Sequence, residues 1–162
     1  MNRTQWCSVR FFPLAVVLLS TLGWAAPPES QSKQAMETKA LVEKAADLLA
    51  DKGKAAFAEF RKADSEWRKG QTYIFVYGLD GTCLCHPIDP KLEGTNELGL
   101  KDASGKAFVK EMVALMEAKE SGWVDYQWPK PGETKPSPKW SYLKRVKVGA
   151  DTVFVGGGFY PE

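Results

Sequence analysis

The chain has 162 residues and a formal net charge of +2, with 44% hydrophobic and 26% charged residues. This length fits one domain with a short extension, and so small a net charge gives no reason to expect nucleic acid or an anionic membrane as a partner. One histidine and three cysteines leave few side chains for a metal centre or for histidine-based catalysis.

The first 25 residues have the pattern of a secretory signal peptide. Arg3 and Arg10 are their only charged side chains, and the apolar run at 11–22 leads into small residues that end at Ala25. Signal peptidase recognises this order of basic, apolar and small segments, so we expect cleavage after Ala25. A retained membrane anchor is the alternative, although the run is shorter than the roughly 20 apolar residues that span a bilayer.

Cleavage would leave a mature chain with equal numbers of acidic and basic residues. Residues 26–34 are polar and proline-rich, which predicts a flexible start, and the folded domain is expected over residues 35–162. No later segment is apolar for long enough to cross a bilayer. We therefore expect an exported protein that has no transmembrane helix once the signal peptide is removed.

Two helices are predicted at the start of the folded domain. Residues 34–50 place apolar side chains at helical spacing, and the pattern breaks at Gly53. A second helix is predicted over residues 56–70, where Gly70 would close it. Its aromatic side chains Phe60 and Trp67 share one face, which we interpret as a core face.

A β-hairpin is predicted over residues 73–86. Aromatic and aliphatic side chains alternate along residues 73–77, which is the period of a strand. Asp80-Gly81 is a strong signal for a tight turn, because glycine accepts a positive φ. Pro87 has no N–H to give to a sheet. The hairpin therefore leaves His86, the only histidine, at the rim of the sheet.

The second half of the domain is predicted to contain one helix and three strands. A loop over residues 87–103 is long enough to suggest a function, and Asp102 or Ser104 would cap a helix that ends at Gly122. The strands are expected at residues 123–128, 140–148 and 152–160. Three consecutive glycines, at 156–158, indicate a bend or the close approach of another element.

The predicted order is thus two helices, two strands, one helix and three strands. Short hairpins without regular alternation of strands and helices favour an antiparallel sheet. We therefore predict an α/β fold of the α+β kind, in which a long N-terminal helix packs on a PAS-like antiparallel sheet.

Cys83 and Cys85 are the cysteines that remain after cleavage. One residue apart on a strand, they would point the same way with Cα atoms roughly 6.5–7 Å apart, at the edge of what a disulfide tolerates. Two buried or partly buried thiols are therefore favoured over a bridge. His86 would face away from Cys85, which argues against a zinc site or a Cys–His nucleophile.

Neither an enzyme nor a cofactor is predicted. Cys-Leu-Cys-His at 83–86 lacks one spacer residue of the c-type haem motif, and no glycine-rich loop links a strand to a helix as in a phosphate site. A redox or metal-binding protein that depends on these cysteines and His86 remains the alternative interpretation.

A small-molecule pocket is better supported by the residue types. Pockets of this kind combine apolar and aromatic walls with a few polar groups that orient the ligand. The predicted sheet gathers such residues: Tyr73, His86, Tyr126, Trp128, Lys139, Trp140, Tyr142 and Arg145. Lys139 beside an aromatic wall would hold a carboxylate. The alternative is that the aromatic residues are core and Lys139 is a solvated edge charge.

Seven short motifs, in order, resemble the single Cache domain, type 2. They are Tyr-Ile-Phe-Val-Tyr-Gly-Leu-Asp-Gly-Thr at 73–82, His-Pro at 86–87, Gly-Thr-Asn at 94–96, Lys-Asp at 101–102 with Gly-Lys-Ala-Phe-Val at 105–109, Gly-Trp-Val-Asp-Tyr-Gln-Trp-Pro-Lys-Pro at 122–131, Pro-Lys-Trp-Ser-Tyr at 138–142, and Gly-Gly-Phe-Tyr at 157–160. The resemblance covers about residues 35–160. Cys83 and Cys85 depart from the usual aliphatic or small residues at this hairpin.

The resemblance implies an extracytoplasmic sensor module of the kind found in bacterial chemoreceptors and histidine kinases, with a pocket for a small organic acid or related metabolite. Carried over residue by residue, the ligand-binding candidates are Tyr73, His86, Tyr126, Trp128, Lys139 and Tyr142. The expected compartment is the bacterial periplasm.

The chain ends at Glu162, without the membrane helix and signalling domains of family receptors. We therefore expect a free periplasmic binding protein that presents its ligand to a membrane receptor or kinase. A structural or adaptor domain with a vestigial pocket is a further alternative.

Overall fold

The computed structural model describes residues 32–161, so the predicted signal peptide and most of the predicted flexible segment lie outside the described residues. The helices are α1 (Ser32–Lys52), α2 (Ala56–Arg61) and α3 (Phe108–Ala118), with short 3-10 turns at Gly53–Ala55 and Pro90–Leu92. The strands are β1 (Arg68–Lys69), β2 (Thr72–Gly78), β3 (Cys83–Cys85), β4 (Ser121–Pro129), β5 (Pro136–Val148) and β6 (Asp151–Phe159).

The strands form one antiparallel sheet in the order β1-β2-β6-β5-β4, with β3 also paired to β2. Helix α1 packs on one face of this sheet and α3 on the other, so each face has its own apolar core. Along β2, Ile74 and Val76 join the α1 core, whereas Tyr73, Phe75 and Tyr77 join the α3 core. The prediction of a PAS-like sheet with a long N-terminal helix is confirmed.

The second predicted helix is wrong beyond Arg61, where α2 ends. The chain instead turns at Asp64, which has a positive φ of 55°, and the Ser65 hydroxyl donates to the Lys62 carbonyl. A local hydrogen bond of this kind competes with the helical ladder. Trp67 still reaches the α1 core, with its ring centroid 5.5 Å from that of Phe60, so its interpretation as a core residue is confirmed.

The predicted cap of the third helix is also wrong. Helix α3 begins at Phe108 after Ala107, without a side-chain cap. Asp102 instead accepts hydrogen bonds from the backbone amides of Ser104, Lys106 and Gln127. It therefore fastens the loop before α3 to strand β4, and these bonds hold the pKa of its carboxyl at about 2 despite some desolvation.

The three glycines of β6 allow the close approach that their position predicted. A Cβ atom at Gly156 would lie 2.4 Å from the Phe75 ring, and one at Gly158 would lie 2.7 Å from Cε of Lys139. Contacts this short do not occur between real side chains and are relieved only by movement. The glycines therefore let β6 run directly against side chains on the neighbouring strands β2 and β5.

A β-bulge separates the two cysteines. Val76 pairs with Cys85 and Tyr77 with Cys83, so Leu84 is an extra residue on β3. Cys83 consequently packs in the α3 core and Cys85 in the α1 core. The expectation that both point the same way is wrong, whereas the prediction of two buried free thiols is confirmed.

The thiols are expected to resist alkylation in the folded protein near neutral pH. Burial raises the pKa of Cys83 to about 11 and that of Cys85 to about 12, and only the thiolate is nucleophilic. Iodoacetamide treatment followed by intact-mass measurement should show both thiols modified only in denaturant. A requirement for reductant before labelling in denaturant would show instead that the two are bridged.

No helix in the described part of the chain combines the length and apolar character that crossing a bilayer requires.

Candidate ligand-binding site

Lys139 is the most unusual side chain of the structure. It lies on β5 directly opposite Tyr126 of β4, and only 1% of its surface is exposed. The pleat of β5 turns Lys139 and Ser141 toward the α3 side, where the Ser141 hydroxyl lies 3.0 Å from the Tyr126 hydroxyl. The alternative that Lys139 is a solvated edge charge is therefore wrong.

The amine of Lys139 is surrounded by aromatic rings. Its Nζ atom donates to the Tyr73 hydroxyl at 2.7 Å and lies 3.9 Å from the centroid of that ring. The ring centroids of Tyr160, Phe75 and Tyr126 follow at 5.3, 5.7 and 5.8 Å. Within residues 32–161, no carboxylate lies within 4.0 Å of Nζ.

Burial without an opposite charge lowers the pKa of Lys139 well below its ordinary value. The reason is that removing an ammonium from water disfavours its charged form. Desolvation also raises the pKa of the Tyr73 phenol, so this hydroxyl supplies no negative charge near neutral pH.

His86 forms the next part of the site. Its ring centroid lies 5.2 Å from that of Tyr73 and 6.2 Å from that of Trp128. Its Nδ1 atom accepts a hydrogen bond from the Asp89 amide at 2.9 Å, so the neutral ring carries its proton on Nε2. Burial, with a smaller contribution from Lys139, lowers the pKa of His86 to about 4. His86 is therefore a neutral hydrogen-bond donor at neutral pH.

A small cavity of about 10 Å³ lies beside these groups. Phe108 and Tyr126 both line it and stack on each other, with ring centroids 4.4 Å apart and planes 2° from parallel. A volume of this size holds about one water molecule, so a larger ligand enters only when the walls move. The cavity is lined by Phe75, Tyr77, His86, Phe108, Met112, Tyr126 and Trp128.

Five of the predicted site residues lie together on the α3 side of the sheet. Tyr73 and Lys139 form the polar end, and His86, Tyr126 and Trp128 line the cavity. Lys139 itself does not line the cavity, but Phe75 and Tyr126 both line it and face the Lys139 amine.

Tyr142 is the exception and corrects the predicted set. It lies on the opposite face, where its hydroxyl donates to Glu43 of α1 at 2.9 Å and its ring centroid is 5.1 Å from that of Trp123. Adjacent positions of a strand alternate between faces, so Tyr142 cannot share a face with Lys139, three residues away. Its role in the structure is to anchor α1.

Sequence reasoning missed several residues of the site. Phe75 and Tyr77 were assigned to the strand but not to the pocket, although period two places them on the face of Tyr73. Phe108 lies in one of the seven motifs but is not among the predicted ligand-binding residues. Tyr160 follows β6, where its hydroxyl donates to the Pro129 carbonyl at 2.7 Å; it lies in the motif at 157–160, but it is not among the predicted ligand-binding residues.

Glu93 connects the site to helix α2. Its carboxylate accepts a hydrogen bond from the His86 amide at 2.8 Å and pairs with the Arg61 guanidinium at 2.7 Å. The segment after β3 is therefore held both to the sheet and to the end of α2.

Nothing in residues 32–161 favours a metal or redox centre. No three histidine, cysteine or acidic side chains of this segment come together as metal ligands, and the bulge places Cys83 and Cys85 in different cores.

Comparison with known proteins agrees with this architecture. The sequence profile of the Cache domain matches residues 33–160. The methyl-accepting chemotaxis protein McpP of Pseudomonas putida is 35% identical over 90 residues, which are 56% of this chain and only 16% of that protein.

Two solved structures share the fold. One is a periplasmic sensor domain of a chemotaxis protein, with 32% identity and a TM-score of 0.64 over 83% of this chain and 96% of that one. The other is a Cache chemosensory domain whose structure gives a basis for carboxylic acid recognition, with 28% identity and a TM-score of 0.68 over 84% of this chain and 100% of that one. The chain belongs to the Cache domain family and contains a sensor domain of that family.

Proposed function

We propose that this chain is a periplasmic sensor that binds a small carboxylic acid. The observation that carries the proposal is the buried amine of Lys139, which faces four aromatic rings and has no acidic neighbour in residues 32–161. A buried ammonium is stable only when it is paired, so an anion that entered the site would be the natural partner of Lys139 in its charged form.

The neighbouring groups suit a carboxylate with a short apolar tail. Lys139 as an ammonium gives a charge-assisted hydrogen bond to one oxygen, and the Nε2–H of neutral His86 is a second donor nearby. The stacked rings of Phe108 and Tyr126 offer apolar surface to the tail of such an acid. The small cavity favours a short acid, and the similar Cache domain solved for carboxylic acid recognition supports this ligand class.

The compartment and partner are part of the same proposal. The pattern of residues 1–25 favours export, and the similar periplasmic sensor domain supports a periplasmic location. A membrane receptor or histidine kinase would read the bound state, because the similar chemotaxis protein is a signalling protein. No step of this function makes or breaks a covalent bond, so we propose a binding protein and not an enzyme.

Matched acids and amides test the carboxylate directly. Acetate and propionate are expected to raise the melting temperature and to give saturable heats in calorimetry, whereas acetamide and propionamide of the same shape should do neither. An amide lacks the negative charge that Lys139 needs. Amides that bind as tightly as their acids, or acids that fail to bind at all, would contradict the proposal.

A further inference from the structure

The titratable groups around the Lys139 amine are all neutral at neutral pH. Tyr73 of β2, Tyr126 of β4 and Tyr160 after β6 face it, and burial raises the pKa of each phenol, that of Tyr160 to about 12. His86, after β3, has a pKa lowered to about 4. Helix α3 adds only apolar side chains, Phe108 and Met112, to the cavity.

The two acids that act on His86 have other partners. The Glu93 carboxylate pairs with Arg61 and accepts from the His86 amide, and the Asp89 carboxylate accepts from the Lys91 amide. An ammonium at Lys139 would therefore contact only aromatic ring faces and the phenol oxygen of Tyr73. These contacts offset only part of the cost of removing an ammonium from water, so burial without an opposite charge favours the uncharged amine in the ligand-free site.

We propose that the site takes up one proton with each carboxylate, so that the species it binds is, in net composition, the undissociated acid. This inference rests on the proposed function and adds its regulation. A carboxylate arriving from water supplies the missing negative charge, and the Lys139 amine then takes a proton from solvent to become an ammonium. No covalent bond forms, and His86, whose Nδ1 atom accepts a hydrogen bond from the Asp89 amide, serves as a neutral donor through Nε2.

The consequence is a sensor that responds to acid and proton together. By linkage, affinity for total carboxylate changes about tenfold per pH unit between the amine pKa of the free site and that of the occupied site. The sign follows from the uptake of a proton on binding: affinity rises as pH falls. The same acid concentration therefore gives a larger response in an acidified periplasm.

Calorimetry with acetate as the probe tests the inference. Titrations at pH 6, 7 and 8, each in phosphate and in Tris, report the number of protons taken up, because these buffers release protons with different heats. We expect about one proton per acetate and a dissociation constant that rises about tenfold per pH unit. Acetate that binds equally at all three pH values, with no dependence on buffer, would overturn the inference while leaving the proposed function standing.

A His86→Gln variant assigns the proton. It keeps a neutral donor near the cavity, so its affinity should retain the wild-type pH slope even if binding weakens. Loss of the slope in this variant would place the proton on His86 and overturn the assignment to Lys139. Absence of acetate and propionate binding by the wild type at every pH would overturn the proposed function, and this inference with it.

Discussion

Lys139→Met is expected to weaken acetate binding by on the order of a hundredfold and, in the same protein, to raise the melting temperature of the ligand-free state. A lost charge-assisted bond typically costs a few kcal/mol, which gives the change in affinity. Methionine is apolar and nearly as long as lysine, so it fills the same volume without an amine to desolvate. Replacing buried ionic groups by apolar side chains of similar volume often stabilises, by about 1–4 kcal/mol, which raises the melting temperature by several degrees.

The pH dependence has a definite sign. Burial lowers the pKa of Lys139 in the folded state, whereas a lysine in the unfolded chain has a pKa of about 10.4. Between these two pKa values the unfolded chain binds more protons than the folded protein. Wild-type stability therefore falls as the pH drops below the unfolded pKa and levels off below the folded pKa. The methionine variant lacks this loss, so its advantage over the wild type should shrink toward alkaline pH.

Lys147→Met is the matched control, because Lys147 is an exposed lysine on the same strand. It is expected to change neither acetate binding nor the melting temperature. Calorimetry and thermal unfolding measure both quantities on all three proteins. A Lys139→Met protein that melts several degrees lower and still binds acetate normally would show that the amine serves the core through Tyr73 and the rings, and not a ligand.

Phe108→Ala is expected to lose about 3–5 kcal/mol of stability and to shift binding toward longer acids. Phe108 is almost fully buried and stacks on Tyr126, and truncation of a buried phenylalanine leaves a void with this typical cost. The void adjoins the cavity, so the preference for acetate over hexanoate should fall or reverse. Dissociation constants for a series of unbranched acids, together with denaturant unfolding, measure the two effects.

Phe57→Ala provides the control for this variant. Phe57 packs only partly buried against the α1 core, on the other face of the sheet, so its truncation should cost less stability and leave chain-length preference unchanged. If Phe108→Ala kept the wild-type preference, the acid's tail would lie somewhere other than the cavity.

The sheet was predictable because its signals are local. Alternation along residues 73–77 fixed both the strand and its two faces, and that pattern is intact in β2. The three glycines of β6 predict the close approach of another element, and the structure identifies one such partner as the Phe75 ring, which packs against Gly156. Five of the predicted candidate residues lie together, and four of them, all except His86, are on paired strands.

The errors arose where a local pattern depends on distant packing. Tyr142 is a different kind of error: it shares a motif with Lys139, but the three-residue separation along β5 places the two side chains on opposite faces. The bulge at Leu84 adds one residue to β3 and turns Cys83 to the opposite face of the sheet from Cys85. Nothing in the local sequence around the cysteines indicates this bulge. The helix over 56–70 has the right apolar spacing, yet the turn at Asp64 and Ser65 ends it.

The two contacts of Glu93 connect the candidate site to helix α2. The carboxylate accepts a hydrogen bond from the backbone amide of His86 and pairs with the Arg61 guanidinium. Because the Glu93 side chain is short, the distance between these two partners can change little while both contacts hold. A displacement of the cavity wall at His86 would therefore act on α2 through Glu93 and Arg61. Phe60 of α2 is buried in the α1 core, so these contacts link the cavity on one face of the sheet to the helices on the other.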